Sequence, residues 1–132
     1  MAHVLAYIAS AIMFLGLDYL WLGRIAGAFY RTRLGHLMAD NVNFVVAGGF
    51  YAFYVVGIVI FAIQPAFRSG AWTDALLYGA LFGFFAYATY DITNLATLRD
   101  WPVTVAVVDV IWGTVLTGMA AVAGYLAARS LI

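Results

Sequence analysis

Asp18, Asp91 and Asp109 stand inside stretches that are otherwise apolar enough to lie in lipid. An ionised carboxylate at the centre of a membrane helix costs roughly 2.5–3.5 kcal/mol on insertion scales, so such residues are paired, line water or serve a function. Three acids close together cannot all stay ionised without compensation, which leaves three chemistries open. They can share protons, pair with an arginine, or bind a cation. Arg24 and Arg99 are the arginines at a suitable depth to swing in. The plain alternative is that each acid hydrogen-bonds neighbouring helices and so fixes a bundle.

Residues around the acids add donors. Tyr87, Tyr90, Asp91, Asn94 and Thr97 recur at three- and four-residue spacing, which puts them on one helical face. Asn94 and the tyrosines can donate to a carboxylate. Asp18 and Trp21 are one turn apart, Asp109 and Trp112 repeat that spacing, and a glycine follows each pair at Gly23 and Gly113. An indole N–H donates only, so each Trp can hold a carboxylate or wall a pocket. The short repeat hints at internal duplication. The expected ligand-binding set is therefore Asp18, Trp21, Tyr87, Tyr90, Asp91, Asn94, Asp109 and Trp112.

Other chemistries find less support. Cysteine is absent, and His3 and His36 are lone histidines, so zinc and haem ligation are not expected. An all-oxygen set from Asp18, Asp91, Asp109 and Asn94 would suit Mg²⁺ or Ca²⁺, but the several-Asp turns of polyprenyl or alcohol-phosphate transferases are missing. Ser10, Ser69 and Ser130 lack a Gly-x-Ser-x-Gly setting and a nearby histidine. No metal is expected, and no cofactor is indicated.

The elements that must position these residues follow from composition. Of 132 residues, 67% are hydrophobic and only 9% charged, against about 25% charged in a soluble domain. Mean hydropathy is +1.01. Every acid is Asp and every base is Arg; six of each give zero net charge and no electrostatic footprint for nucleic acid. Four continuous apolar segments, at about 3–22, 42–63, 74–95 and 102–128, approach the ~20 residues that cross a bilayer core. The fold expected over 1–132 is a single all-α integral membrane bundle of four transmembrane helices. The start, Met1-Ala2-His3, has no basic n-region and does not read as a cleavable signal peptide.

Helix direction then sets depth. Asp18 lies late in the first segment, Asp91 late in the third and Asp109 two turns into the fourth, so alternating helices bring all three toward the first and third linkers. The first linker, 23–41, interleaves Arg24, Arg31, Arg33 and His36 with apolar residues. That mixture suits an interfacial helix whose arginines hold lipid headgroups; a solvated loop is the alternative. Arg24, Arg31, Arg33 and Arg99 outnumber Arg68 and Arg129 on the opposite side, which places the first and third linkers in the cytoplasm and both termini outside. Gly79 and Gly83, and the stripe Gly113, Thr117, Ala121, Gly124 and Ala128, read as close helix packing. The same small residues could carry a homodimer.

The segments Phe14-Leu15-Gly16-Leu17-Asp18-Tyr19-Leu20-Trp21-Leu22-Gly23, Tyr90-Asp91-Ile92-Thr93-Asn94-Leu95-Ala96-Thr97-Leu98 and Val108-Asp109-Val110-Ile111-Trp112-Gly113 resemble the small bacterial inner-membrane proteins grouped as domain-of-unknown-function family 2177. Tyr-Asp-x-Thr-Asn is the most specific of these elements. The resemblance covers essentially the whole chain and implies a multi-pass inner-membrane protein; it brings no established activity and leans toward a lipid-related role.

Three functions are consistent with these residues. The first is binding or transport of a small cationic or amphipathic, lipid-like ligand at the carboxylates. The second is an enzyme of lipid modification using Asp as acid–base groups or Mg²⁺ ligands. The third is an accessory subunit whose acids pair with arginines of a larger membrane complex.

Overall fold

The computed structural model describes residues 1–132. Four helices are long and apolar enough to cross a membrane: α1 (Ala2–Ile25), α3 (Phe44–Ser69), α4 (Trp72–Thr97) and α5 (Val103–Leu131). A short helix, α2 (Gly27–Leu34), lies between the first two. There are no strands.

The helix ends depart from the sequence expectation in ways that the backbone explains. α1 runs past residue 22 through a π-helical turn, Trp21–Ile25. The second span continues past the expected end at residue 63, through Gln64-Pro65. A π-helical turn over Val59–Ile63 precedes that point, and Gln64–Ser69 resumes as α-helix with Pro65 in its first turn. The helix is continuous here, and the π-helical turn just ahead interrupts the regular i→i+4 ladder where proline's missing N–H would otherwise break it. Gly70, at φ 73°, ends the helix in the left-handed region, and its N–H reaches the Ala66 carbonyl at 2.8 Å. α4 begins at Trp72, ahead of the expected Asp74, which instead sits in the first turn near the positive end of the helix dipole. Asn43 caps α3, accepting from the Val46 N–H at 3.1 Å.

The bundle has a packed half and a hollow half. At the end that holds the termini and the second linker, Ala2, Ala6, Ala62, Ala66, Ala75, Ala120, Ala121 and Ala128 are buried. Small side chains let the backbones approach closely, the main source of helix association where lipid is as apolar as leucine. The two glycine stripes meet each other here. A Cβ on Gly79 would lie 2.7 Å from that of Ala121, and one on Gly83 would lie 2.6 Å from the Thr117 hydroxyl. Gly113 fits under the Tyr87 ring, and Gly124 packs against Ile63 and Ser10. These glycines are covered by the chain's own helices, Gly79, Gly83 and Gly113 between α4 and α5 and Gly124 against α1 and α3.

The first and third linkers share the other end. α2 buries Gly27, Tyr30 and Leu34, and its inner side packs with Val105, Trp21 and Trp101. His36 reaches Asp100 at 3.6 Å, joining the two linkers. Both side chains are more than half exposed, so the pair adds little stability. Asp100 adopts φ 62°, a conformation that Asp tolerates better than most residues.

Candidate functional site

Bulky rings hold the helices apart at this end. They surround a cavity of about 800 Å³ between α1, α3, α4 and α5, covered on one side by α2. Of the twenty lining residues, seventeen are hydrophobic; the other three are Asp18, Asp91 and Asp109. No Arg, Lys or His lines it.

Two of the acids are held by donors from other helices. Asp18 Oδ1 accepts from Trp112 Nε1 at 3.2 Å, and its Oδ2 from the Tyr51 hydroxyl at 3.5 Å. Asp109 Oδ1 accepts from the Tyr30 hydroxyl at 2.9 Å, and the Tyr30 oxygen accepts from Trp21 Nε1 at 3.1 Å. The two tryptophans of the repeated Asp-x-x-Trp turns stack face to face, centroids 4.4 Å apart and planes within 9°. Burial pushes the Tyr30 phenol above its ordinary value, and the charge of Asp109 beside it pushes the same way.

Asp91 differs. It is 0% exposed, and no N–H or hydroxyl of the chain donates to either carboxylate oxygen. Its neighbour is the Asp109 carboxyl. The buried Trp101 Nε1, also on the cavity wall, likewise has no partner. Trp101 packs edge-on against Tyr90, centroids 5.5 Å apart.

Seven of the eight residues expected to form a ligand site line this cavity: Asp18, Trp21, Tyr87, Tyr90, Asp91, Asp109 and Trp112. Asn94 does not. It is half-buried one turn beyond Asp91, and no hydrogen bond reaches its side chain. The arginines stay out as well: Arg24, Arg31, Arg33 and Arg99 are all exposed. Arg33 lays its guanidinium over the Phe29 ring at 4.1 Å. The expected swing of Arg24 or Arg99 toward the acids is therefore not made. Nor do the acids converge on one point, since no three His, Cys, Asp or Glu side chains could jointly hold a metal ion. His3 sits at the far end, hydrogen-bonded to Gln64.

Sequence reasoning missed much of the wall. Phe14, Tyr30, Tyr51, Tyr54 and Trp101 all line the cavity. Tyr51 and Tyr54 did carry a signal, since two phenols one turn apart in an apolar run need polar partners much as the aspartates do. Tyr54 finds one in Thr117, at 2.9 Å. Tyr30 and Trp101 gave none, because both lie in linkers whose docking onto the bundle is a tertiary event.

A family model described as Predicted membrane protein (DUF2177) matches residues 3–126, a stretch containing every cavity residue. The chain belongs to this family. No curated protein and no solved structure matches it. Membership fixes membrane residence for this DUF2177 protein and assigns no activity, so the chemistry rests on the cavity's own side chains.

Proposed function

We propose that the chain binds a cationic amphiphile, its charged head among Asp18, Asp91 and Asp109 and its apolar tail along the aromatic wall. One observation carries this reading: a cavity wall with three carboxylates and no basic side chain. A buried carboxylate must take up a proton or meet a charge of opposite sign, and the chain supplies no cation here. Aromatic faces add attraction, since the π-quadrupole favours a cation lying over the ring. The mouth supports a tail from the bilayer. Phe50 and Phe53 line the cavity yet are 62% and 77% exposed, so the opening reaches the outer, lipid-facing surface beside α3. Arg24, Arg31 and Arg33, exposed on the same end, suit anionic headgroups around that opening. The resemblance to small bacterial inner-membrane proteins supports the inner membrane of a bacterium, and the arginine distribution supports this end being cytoplasmic and the termini periplasmic.

The test is equilibrium binding to purified protein in neutral detergent, followed by tryptophan fluorescence. Dodecylammonium should bind saturably and dodecanoate should not. Asp109→Asn should weaken dodecylammonium binding about tenfold while the protein still purifies as a folded species. Equal binding of the cation and the fatty anion would sink the reading.

A further inference from the structure

Resting on that reading, we infer that the head group is an ammonium bearing N–H donors together with a hydroxyl or other oxygen acceptor, as in an amino alcohol. The aromatic wall alone would serve a quaternary ammonium equally well, since cation–π attraction does not need an N–H. The polar atoms left over on the wall discriminate. Asp91 presents its carboxyl oxygens at 0% exposure, and no N–H or hydroxyl of the chain donates to either; the group beside them is the Asp109 carboxyl, itself an acceptor unless the two share a proton. Trp101 Nε1 is a buried donor that nothing accepts. Buried polar atoms of native proteins are nearly all partnered, so atoms left over on a cavity wall point to what the cavity takes.

Their chemistry is complementary. A carboxylate asks for donors, and an indole N–H can only ask for an acceptor. By contrast, Asp18 is already served by Trp112 and Tyr51, and Asp109 by Tyr30. The open valences therefore select one donor-bearing cation and one acceptor. A trimethylammonium head would satisfy neither oxygen of Asp91, and leaving such a group unpaired in a bound complex weakens affinity about tenfold or more.

Three probes of equal chain length test this: N-dodecylethanolammonium, dodecylammonium and dodecyltrimethylammonium. The ethanolammonium should bind tightest and the trimethylammonium about tenfold or more weaker than dodecylammonium. Trp101→Phe, which keeps an aromatic ring and removes the donor, should erase the advantage of the hydroxyl-bearing probe over dodecylammonium measured on the same variant. Asp91→Asn should weaken all three cations, and the two N–H cations by a clearly larger factor than the trimethylammonium. If all three cations bind equally, or Trp101→Phe preserves the hydroxyl preference, the head-group assignment fails while the cation-binding reading survives. If none binds, the cation-binding reading itself fails.

Discussion

Trp112 donates to Asp18 across the α1–α5 interface at 3.2 Å, although each has a counterpart one turn away in its own helix, Asp109 and Trp21. The bond ties α1 to α5 directly, whereas Trp21 reaches Asp109 only through the Tyr30 hydroxyl. It predicts strong coupling between the two. In a double-mutant cycle, Asp18→Asn and Trp112→Phe should show an interaction energy of about 1–3 kcal/mol in unfolding free energy. Tyr51→Phe, which removes a bond of 3.5 Å, should couple to Asp18 distinctly less. Additive effects of Asp18→Asn and Trp112→Phe would contradict the geometry.

The acids should differ in what they do for stability. Asp91→Leu removes a buried carboxylate that no N–H or hydroxyl holds and that lies beside the like-charged Asp109 carboxyl, so unfolding should become no easier, and by the cost of burying such a group it should become harder. Asp18→Leu strands the Trp112 and Tyr51 donors and should destabilise by roughly 1–3 kcal/mol. Thermal denaturation in one detergent reads both. The idea is wrong if Asp91→Leu proves the more damaging change.

Glycine substitutions should separate packing from freedom. Gly83→Ala would push a methyl into the Thr117 hydroxyl, and Gly113→Ala one into the Tyr87 ring. Overpacking of this kind costs typically about 1–3 kcal/mol. Gly48 has nothing within 4 Å of its added Cβ, so Gly48→Ala should stabilise, by up to about 1 kcal/mol from helix propensity. Unfolding midpoints that move alike for all three would refute this arrangement.

Tyr30 predicts an alkaline limit. Its phenol is raised above the ordinary value near 10 by burial and by Asp109. Below about pH 10 folded and unfolded chains both keep the proton. Above it the unfolded chain releases the proton first, so the stability tied to Tyr30 falls as pH climbs from about 10 toward the folded value. Tyr30→Phe lowers stability at pH 8 by removing the Trp21–Tyr30–Asp109 chain, yet it should flatten the loss between pH 9 and 11. Parallel curves for the two proteins would show that Tyr30 does not titrate this way.

Orientation is testable because the chain has no cysteine. Single substitutions Ala39→Cys in the first linker and Ser130→Cys near the C-terminus sit at opposite ends of the bundle. In intact cells a membrane-impermeant maleimide should label Ser130→Cys and spare Ala39→Cys. The reverse pattern would invert the proposed topology.

Four spans, their directions and the three acids toward one end were all readable from the sequence, because apolar runs of membrane length leave the chain few choices in lipid. The short helix α2 was legible as an amphiphile, yet its docking was not. Tyr30 reaches Asp109, 79 positions away, and no local pattern encodes that partner. The same limit applied to the glycines, whose small size announces close packing without saying whose backbone approaches. Only the tertiary structure decided that the chain's own helices cover these glycines, that Trp112 serves Asp18, and that the arginines stay outside. It also separated the three acids, which look equivalent in sequence, into two that are held and one that is left open. Local spacing sets which face a side chain occupies; which atoms meet there depends on how the helices cross and how far their bulky rings hold them apart.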